Sequence, residues 1–104
     1  MEKDYFWYLG EIAAKLSASG SALNYAVSIL KLAKEKLVTS GRNPRVLAAA
    51  ALYLAQFSRL WPLSERWTQK QVALAAGVGE PAVRNTYHLF IKKLALPLPG
   101  EVSF

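Results

Sequence analysis

Apolar residues recur at helical spacing from the start of the chain. Tyr5, Leu9, Ile12 and Leu16 form one stripe, with Glu11 and Lys15 off it, which predicts a helix from about Asp4 to Ser17. Ser19-Gly20-Ser21 interrupts that stripe, and Ser21 is placed to cap a second helix. The second stripe holds Leu23, Ala26, Val27, Leu30, Ala33 and Leu37, with Lys31, Lys34 and Lys36 outside. Its stop is expected at Thr39-Ser40-Gly41, and lysine near that end suits the helix dipole. Asn43-Pro44 starts a third helix, with Asn as the cap and Pro in the first turn. The body of that helix, Val46 to Ala55, is apolar around its whole circumference, so it must be surrounded by the others. Leu60 to Trp67 is expected to be a loop built around Pro62, with Ser64, Glu65 and Arg66 exposed.

The next segment, Thr68 to Tyr87, reads as a helix, a tight turn and a second helix. Thr68 is a good N-cap, because its hydroxyl accepts an otherwise orphaned amide hydrogen bond. Ala73 is small where two helices must cross closely. Gly77 takes the left-handed conformation that ends a helix without a Cβ penalty. Val72, Val78 and Val83 are spaced to bury the angle, and Pro81 fits a first helical turn. This is a helix-turn-helix unit over about 68–94, of the kind that places its second helix in the DNA major groove. Two helices of an ordinary bundle that meet at a glycine would look similar. Leu96-Pro-Leu-Pro-Gly100 then stops the last helix, giving a domain over 1–96 and a tail over 97–104.

Composition narrows the class. A chain of 104 residues that is 53% hydrophobic suits one small compact domain. There is no Cys, which excludes disulfides and thiolate zinc sites and fits an intracellular protein. The N-terminus does not read as a signal peptide, and the longest apolar run, Val46 to Ala55, is too short for a bilayer. The net charge of +6 is uneven. Residues 1–40 hold five Lys against four acidic residues, whereas residues 41–104 hold eight Lys or Arg against three Glu. The excess sits with the helix-turn-helix, where a basic surface attracts polyanions.

Several blocks, in order and spacing, carry a family resemblance. They are Gly41-Arg-Asn-Pro44, Ala48 to Ala55, Thr68-Gln-Lys-Gln-Val-Ala73, Ala76-Gly-Val78, Val83-Arg-Asn85 and Tyr87. Nearly the whole chain closely resembles the second cyclin-like repeat of archaeal transcription initiation factor B, the counterpart of eukaryotic factor IIB. The resemblance implies an all-α, cyclin-like five-helix bundle around the central apolar helix, with the helix-turn-helix formed by the last two helices. It implies a module that binds double-stranded promoter DNA upstream of the TATA box, beside TATA-binding protein. Carried over by position, base reading falls on Pro81, Ala82, Arg84 and Asn85. Arg84 is the strongest of these, since a guanidinium pairs with both acceptors of a guanine edge. The resemblance puts phosphate contacts on Thr68, Gln69 and Lys70; Arg66, Lys92 and Lys93 are further phosphate candidates by charge, and the last two also suit a helix C-terminus.

This chain departs from the family at Gly79-Glu-Pro-Ala82, where Thr-Glu-Val-Thr is usual. Gly79 caps less well than Thr, and Ala82 lacks a hydroxyl, so direct reading is weakened or altered. The first repeat and the Cys-rich zinc ribbon are missing, so RNA polymerase is expected as a partner only through such N-terminal domains. The chain is expected to be a cut-out domain or a shortened paralogue, nucleoid-associated in an archaeal cytoplasm, or nuclear in a eukaryote.

Each singled-out residue also has a plainer reading. Arg84 can brace the bundle through a carbonyl or through Glu80, four residues earlier. Arg42 and Arg45 flank a helix start, where a structural or solvated role outweighs DNA contact. His88 is the only His and has no partner for a metal, and no cofactor or catalytic constellation is expected. Tyr5 and Phe6 suit the core, whereas Trp7 and Tyr8 suit the cover of a neighbour such as the first repeat. Trp61 and Trp67 are expected to fold back on the bundle, with a partner patch as the alternative. The competing reading is a cyclin-like protein–protein adaptor that has lost sequence-specific DNA reading. No helix keeps a basic face and a spare bulky apolar face for a membrane.

Overall fold

A computed structural model of the chain describes residues 4–18, 20–56 and 67–94. The expected loop from Leu60 through Arg66, with Trp61, and the tail beyond Leu94 lie outside the described residues. Five α-helices make up the described fold: α1 (Tyr5–Leu16), α2 (Gly20–Glu35), α3 (Pro44–Ala55), α4 (Gln69–Ala76) and α5 (Glu80–Leu94).

Local chemistry sets most helix ends. The Asp4 side chain accepts the Trp7 N–H at 3.0 Å and starts α1. At its other end Ser17 turns left-handed (φ 55°), and its N–H closes back on the Ala14 carbonyl at 3.2 Å. The Asn43 side chain accepts the Arg45 N–H at 2.9 Å, with Pro44 in the first turn of α3 as the sequence predicts. Pro lacks an N–H that this turn does not need.

The α2 ends differ from expectation. The helix begins at Gly20, so Ser21 lies inside it and not before it. It stops at Glu35, before Thr39-Ser40-Gly41, because Leu37 takes a left-handed φ of 59°. The Leu37 N–H bonds the Lys34 carbonyl and the Val38 N–H bonds the Ala33 carbonyl, which satisfies the last turn. This reversal throws Leu37 outward, 82% exposed, and puts Val38 in the core instead.

The core is built around α3. Residues Leu47 to Ala55 are all buried, with Ala48, Ala49, Ala50 and Ala51 fully enclosed. The helix packs against each of the other four, and the run of alanines lets them approach on every side. Leu9 from α1, Leu30 from α2, Val72 from α4 and Phe90 from α5 complete the interior. Each such side chain contributes about 1.5–3 kcal/mol of transfer free energy. The buried Gln56, just after α3, accepts the Trp67 N–H at 2.7 Å and so ties the end of the central helix to the approach to α4. Among the described residues, no helix is long and apolar enough to cross a membrane.

Candidate nucleic-acid interface

Helices α4 and α5 form the helix-turn-helix, and three features hold its angle. The Thr68 hydroxyl accepts the Gln71 N–H at 3.1 Å while the Gln71 side chain accepts the Thr68 N–H at 2.8 Å. This reciprocal pair satisfies two orphan donors at the start of α4. Gly77 ends α4 at φ 72°, with its N–H on Leu74 and the Val78 N–H on Ala73. Lys15 on α1 donates from Nζ to the Ala75 carbonyl at 3.3 Å, placing a cation where the α4 dipole is negative. Val72 and Val83 are fully buried in the angle and Ala73 nearly so, as their spacing predicts. Val78 is half-buried against the core.

Helix α5 divides cleanly into faces. Val83, Thr86, Tyr87, Phe90, Ile91 and Leu94 are buried. Pro81, Arg84, Asn85, Lys92 and Lys93 are exposed, and Ala82 is half-buried and offers less surface. The exposed positions near the helix start are therefore the base-reading candidates Pro81, Arg84 and Asn85, raised on a helix whose other face is packed into the bundle. Thr68 and Lys70 are exposed at the start of α4, close to that face, although the Thr68 hydroxyl already serves the cap. Arg66 lies outside the described residues.

Arg84 is not a loose side chain. Its Nε donates to Gln69 Oε1 at 3.2 Å, and its Nη2 lies 3.4 Å from Glu80 Oε1. Gln69 in turn donates from Nε2 to the Tyr87 hydroxyl at 2.8 Å. The Glu80 contact is the brace expected from the sequence, but 47% of the Arg84 side chain stays exposed, so the pair contributes only about 0.3–0.5 kcal/mol. Gln69, expected on phosphate, is spent on a bridge between α4 and α5, with both ends of its amide engaged. Tyr87 packs its ring 4.9 Å from that of Tyr53 on α3 and 4.5 Å from His88. Burial first, and then the neighbouring Tyr53, raise its phenol above the usual tyrosine range, so it is a neutral hydrogen-bonding group.

The basic surface extends further than the helix-turn-helix. Lys93, Lys36 and Arg42 line one open groove together with Val38 and Leu89. Sequence reasoning missed Lys36, because no local spacing relates it to α5. Arg42 is held by its own turn, donating from Nε to the Val38 carbonyl at 2.9 Å. Arg45 lies over the Tyr8 ring, which gives both residues structural work in joining α1 to α3. Tyr5 and Phe6 pack on the core, whereas Trp7 keeps 42% of its surface exposed. Among the described residues, no group of three His, Cys, Asp or Glu side chains is placed to hold a metal ion.

The family model described as the transcription factor TFIIB repeat matches residues 4–93. The chain belongs to the TFIIB repeat family. That family's all-α, cyclin-like architecture is the one seen here, with four helices around a central apolar one. The repeat is 42% identical over 94 residues to transcription initiation factor IIB of Pyrodictium occultum, covering 90% of this chain and 29% of that protein. It is 39% identical over 99 residues to the factor of Sulfurisphaera tokodaii, covering 95% of this chain and 30% of that protein. A third relative, from Archaeoglobus fulgidus, is 42% identical over 91 residues, covering 88% and 27%. The repeat thus spans under a third of the length of these curated relatives. Those relatives are named as transcription initiation factors.

Proposed function

We propose that this TFIIB repeat corresponds to the second of its relatives' repeats and is a promoter DNA-binding module without catalysis. Helix α5 enters the major groove upstream of a TATA box, beside TATA-binding protein. Arg84, Asn85 and Pro81 face the bases, with Ala82 at the margin. Thr68, Lys70, Lys92 and Lys93 meet phosphate, with Arg66 beside them. RNA polymerase joins only through further domains of a longer chain.

The observation that carries this reading is the face division of α5. Its apolar residues are locked into the bundle, and its polar residues project at the end of a helix-turn-helix that holds much of the chain's excess positive charge. The engagement of Gln69 by Arg84 and Tyr87 removes it from the phosphate set.

The test is an anisotropy titration with promoter DNA over a range of salt, with and without TATA-binding protein. Three to five phosphate contacts give a slope of log K against log salt of about −3 to −4.5. Alone, so small a domain binds with Kd in the range of roughly 10⁻⁴ to 10⁻⁶ M at physiological salt, and TATA-binding protein tightens it. Absence of binding at low salt in both arms replaces this reading with the protein adaptor.

A further inference from the structure

The hydrogen bonds that link α4 to α5 have only one consistent direction. An arginine Nε–H can only donate, so the Gln69 atom facing it at 3.2 Å must be the amide oxygen. The amide nitrogen then faces Tyr87, whose hydroxyl oxygen must accept at 2.8 Å. The hydroxyl of Tyr87, a buried residue on the core side of α5, therefore orients a glutamine on α4, and that glutamine orients an arginine on the exposed side of α5.

We infer that Gln69 and Tyr87 are positioning residues for base selection, forming a relay that restricts Arg84 to one mode of reading a guanine. The inference rests on the DNA-binding reading above. A free arginine can approach guanine side-on, through Nε and one Nη, or end-on, through both Nη atoms. With Nε donated to Gln69, only the end-on approach to O6 and N7 remains. End-on pairing uses one hydrogen of each Nη, so it requires Glu80, 3.4 Å from Nη2, to hold the other Nη2 hydrogen or to let go on binding. The relay also holds a long side chain in place before DNA arrives, so less rotamer freedom is lost on binding. Neither Gln69 nor Tyr87 needs to touch a base to change which base is preferred.

The test compares binding of one duplex with the same duplex carrying 7-deazaguanine, which lacks N7, at one guanine at a time. The duplex is selected from a random-sequence pool by the parent chain. The parent is expected to lose roughly tenfold in affinity at the guanine that Arg84 reads. Tyr87→Phe deletes a single oxygen and keeps the ring in the core. Gln69→Met keeps the side-chain length at a partly exposed position and removes the bridge. Both variants are expected to shrink the penalty to about twofold, because the released Arg84 side chain must be ordered on binding and its net gain from N7 falls; the salt slope is expected to stay unchanged, because phosphate contacts are untouched. In the free chain, the Arg84 Nε–H resonance is expected to exchange with water faster in both variants than in the parent.

If both variants keep the parent's penalty and slow exchange while Arg84→Ala abolishes the penalty, the relay is refuted and base reading by Arg84 stands. If Arg84→Ala keeps the parent's penalty, or the parent shows none, the base-reading function of Arg84 falls and the relay falls with it. The Gln69→Met result decides the matter if Tyr87→Phe fails to fold.

Discussion

Arg45 at the start of α3 lies over the ring of Tyr8 on α1, with its guanidinium carbon 5.1 Å from the ring centroid. The contact fastens the first helix to the central one from outside the core. Arg45→Ala is expected to lower stability by about 0.5–1 kcal/mol, the range of an exposed cation–π pair. Urea denaturation measures it. Because the guanidinium is engaged here, the salt dependence of DNA binding should keep its parental slope.

Full enclosure of α3 predicts intolerance of charge. Ala51 has no exposed surface and neighbours on every side. Ala51→Glu must bury an unpaired carboxylate or displace the helix, and is expected to cost roughly 3 kcal/mol or more. A thermal melt within a few degrees of the parent would contradict the surrounded central helix.

Leu37 offers a gain. It holds φ 59° with a side chain that is 82% exposed. A left-handed backbone costs a branched L-residue about 1–2 kcal/mol, and glycine avoids this while losing about 0.5–1 kcal/mol of unfolded-chain entropy. Leu37→Gly is therefore expected to stabilise the domain by about 0.5–1 kcal/mol, read as a higher urea midpoint. A loss of stability would mean that the leucine side chain contributes packing beyond its small buried fraction.

Tyr87 makes stability sensitive to alkali. Its folded pKa is raised above the ordinary 10.0 by burial and by Tyr53, with Arg84 and the Gln69 hydrogen bond opposing. Between the unfolded and folded values the native state binds the extra proton, so stability falls as pH rises. It is unaffected below about pH 9 and declines above pH 10. Denaturation midpoints across that window should fall less for Tyr87→Phe than for the parent.

Two cations on α5 should behave differently on DNA. Arg84→Ala is expected to leave the fold intact, cost about 1–3 kcal/mol on the preferred site and flatten the preference among sites. Lys93→Ala should weaken all sequences alike and reduce the salt slope by about one. Equal weakening of every duplex by Arg84→Ala would move that residue from the bases to the phosphates.

Much of this architecture is legible in the one-dimensional pattern. Asp4, Asn43 and Thr68 bond amides within the next three residues, so their caps follow from local chemistry alone. The enclosure of α3 follows from a helix with no polar face, and the turn at Gly77 from a residue with no Cβ. The burial of Val72 and Val83 follows from helical spacing. The order of blocks from Gly41 to Tyr87 carries the family likeness. What lies beyond the pattern joins residues that are distant in the chain. Lys15 meets the Ala75 carbonyl, Arg45 meets Tyr8, and Lys36 comes beside Arg42 and Lys93. The bridge through Gln69 sets how Arg84 is presented, which no spacing rule specifies. The outward turn of Leu37 likewise depends on which carbonyls of the final α2 turn close the helix. Periodicity determines which face of a helix is apolar. The crossing of helices in three dimensions decides which long polar side chains come within hydrogen-bonding distance, because these have several rotamers each and find partners only once the backbones are placed.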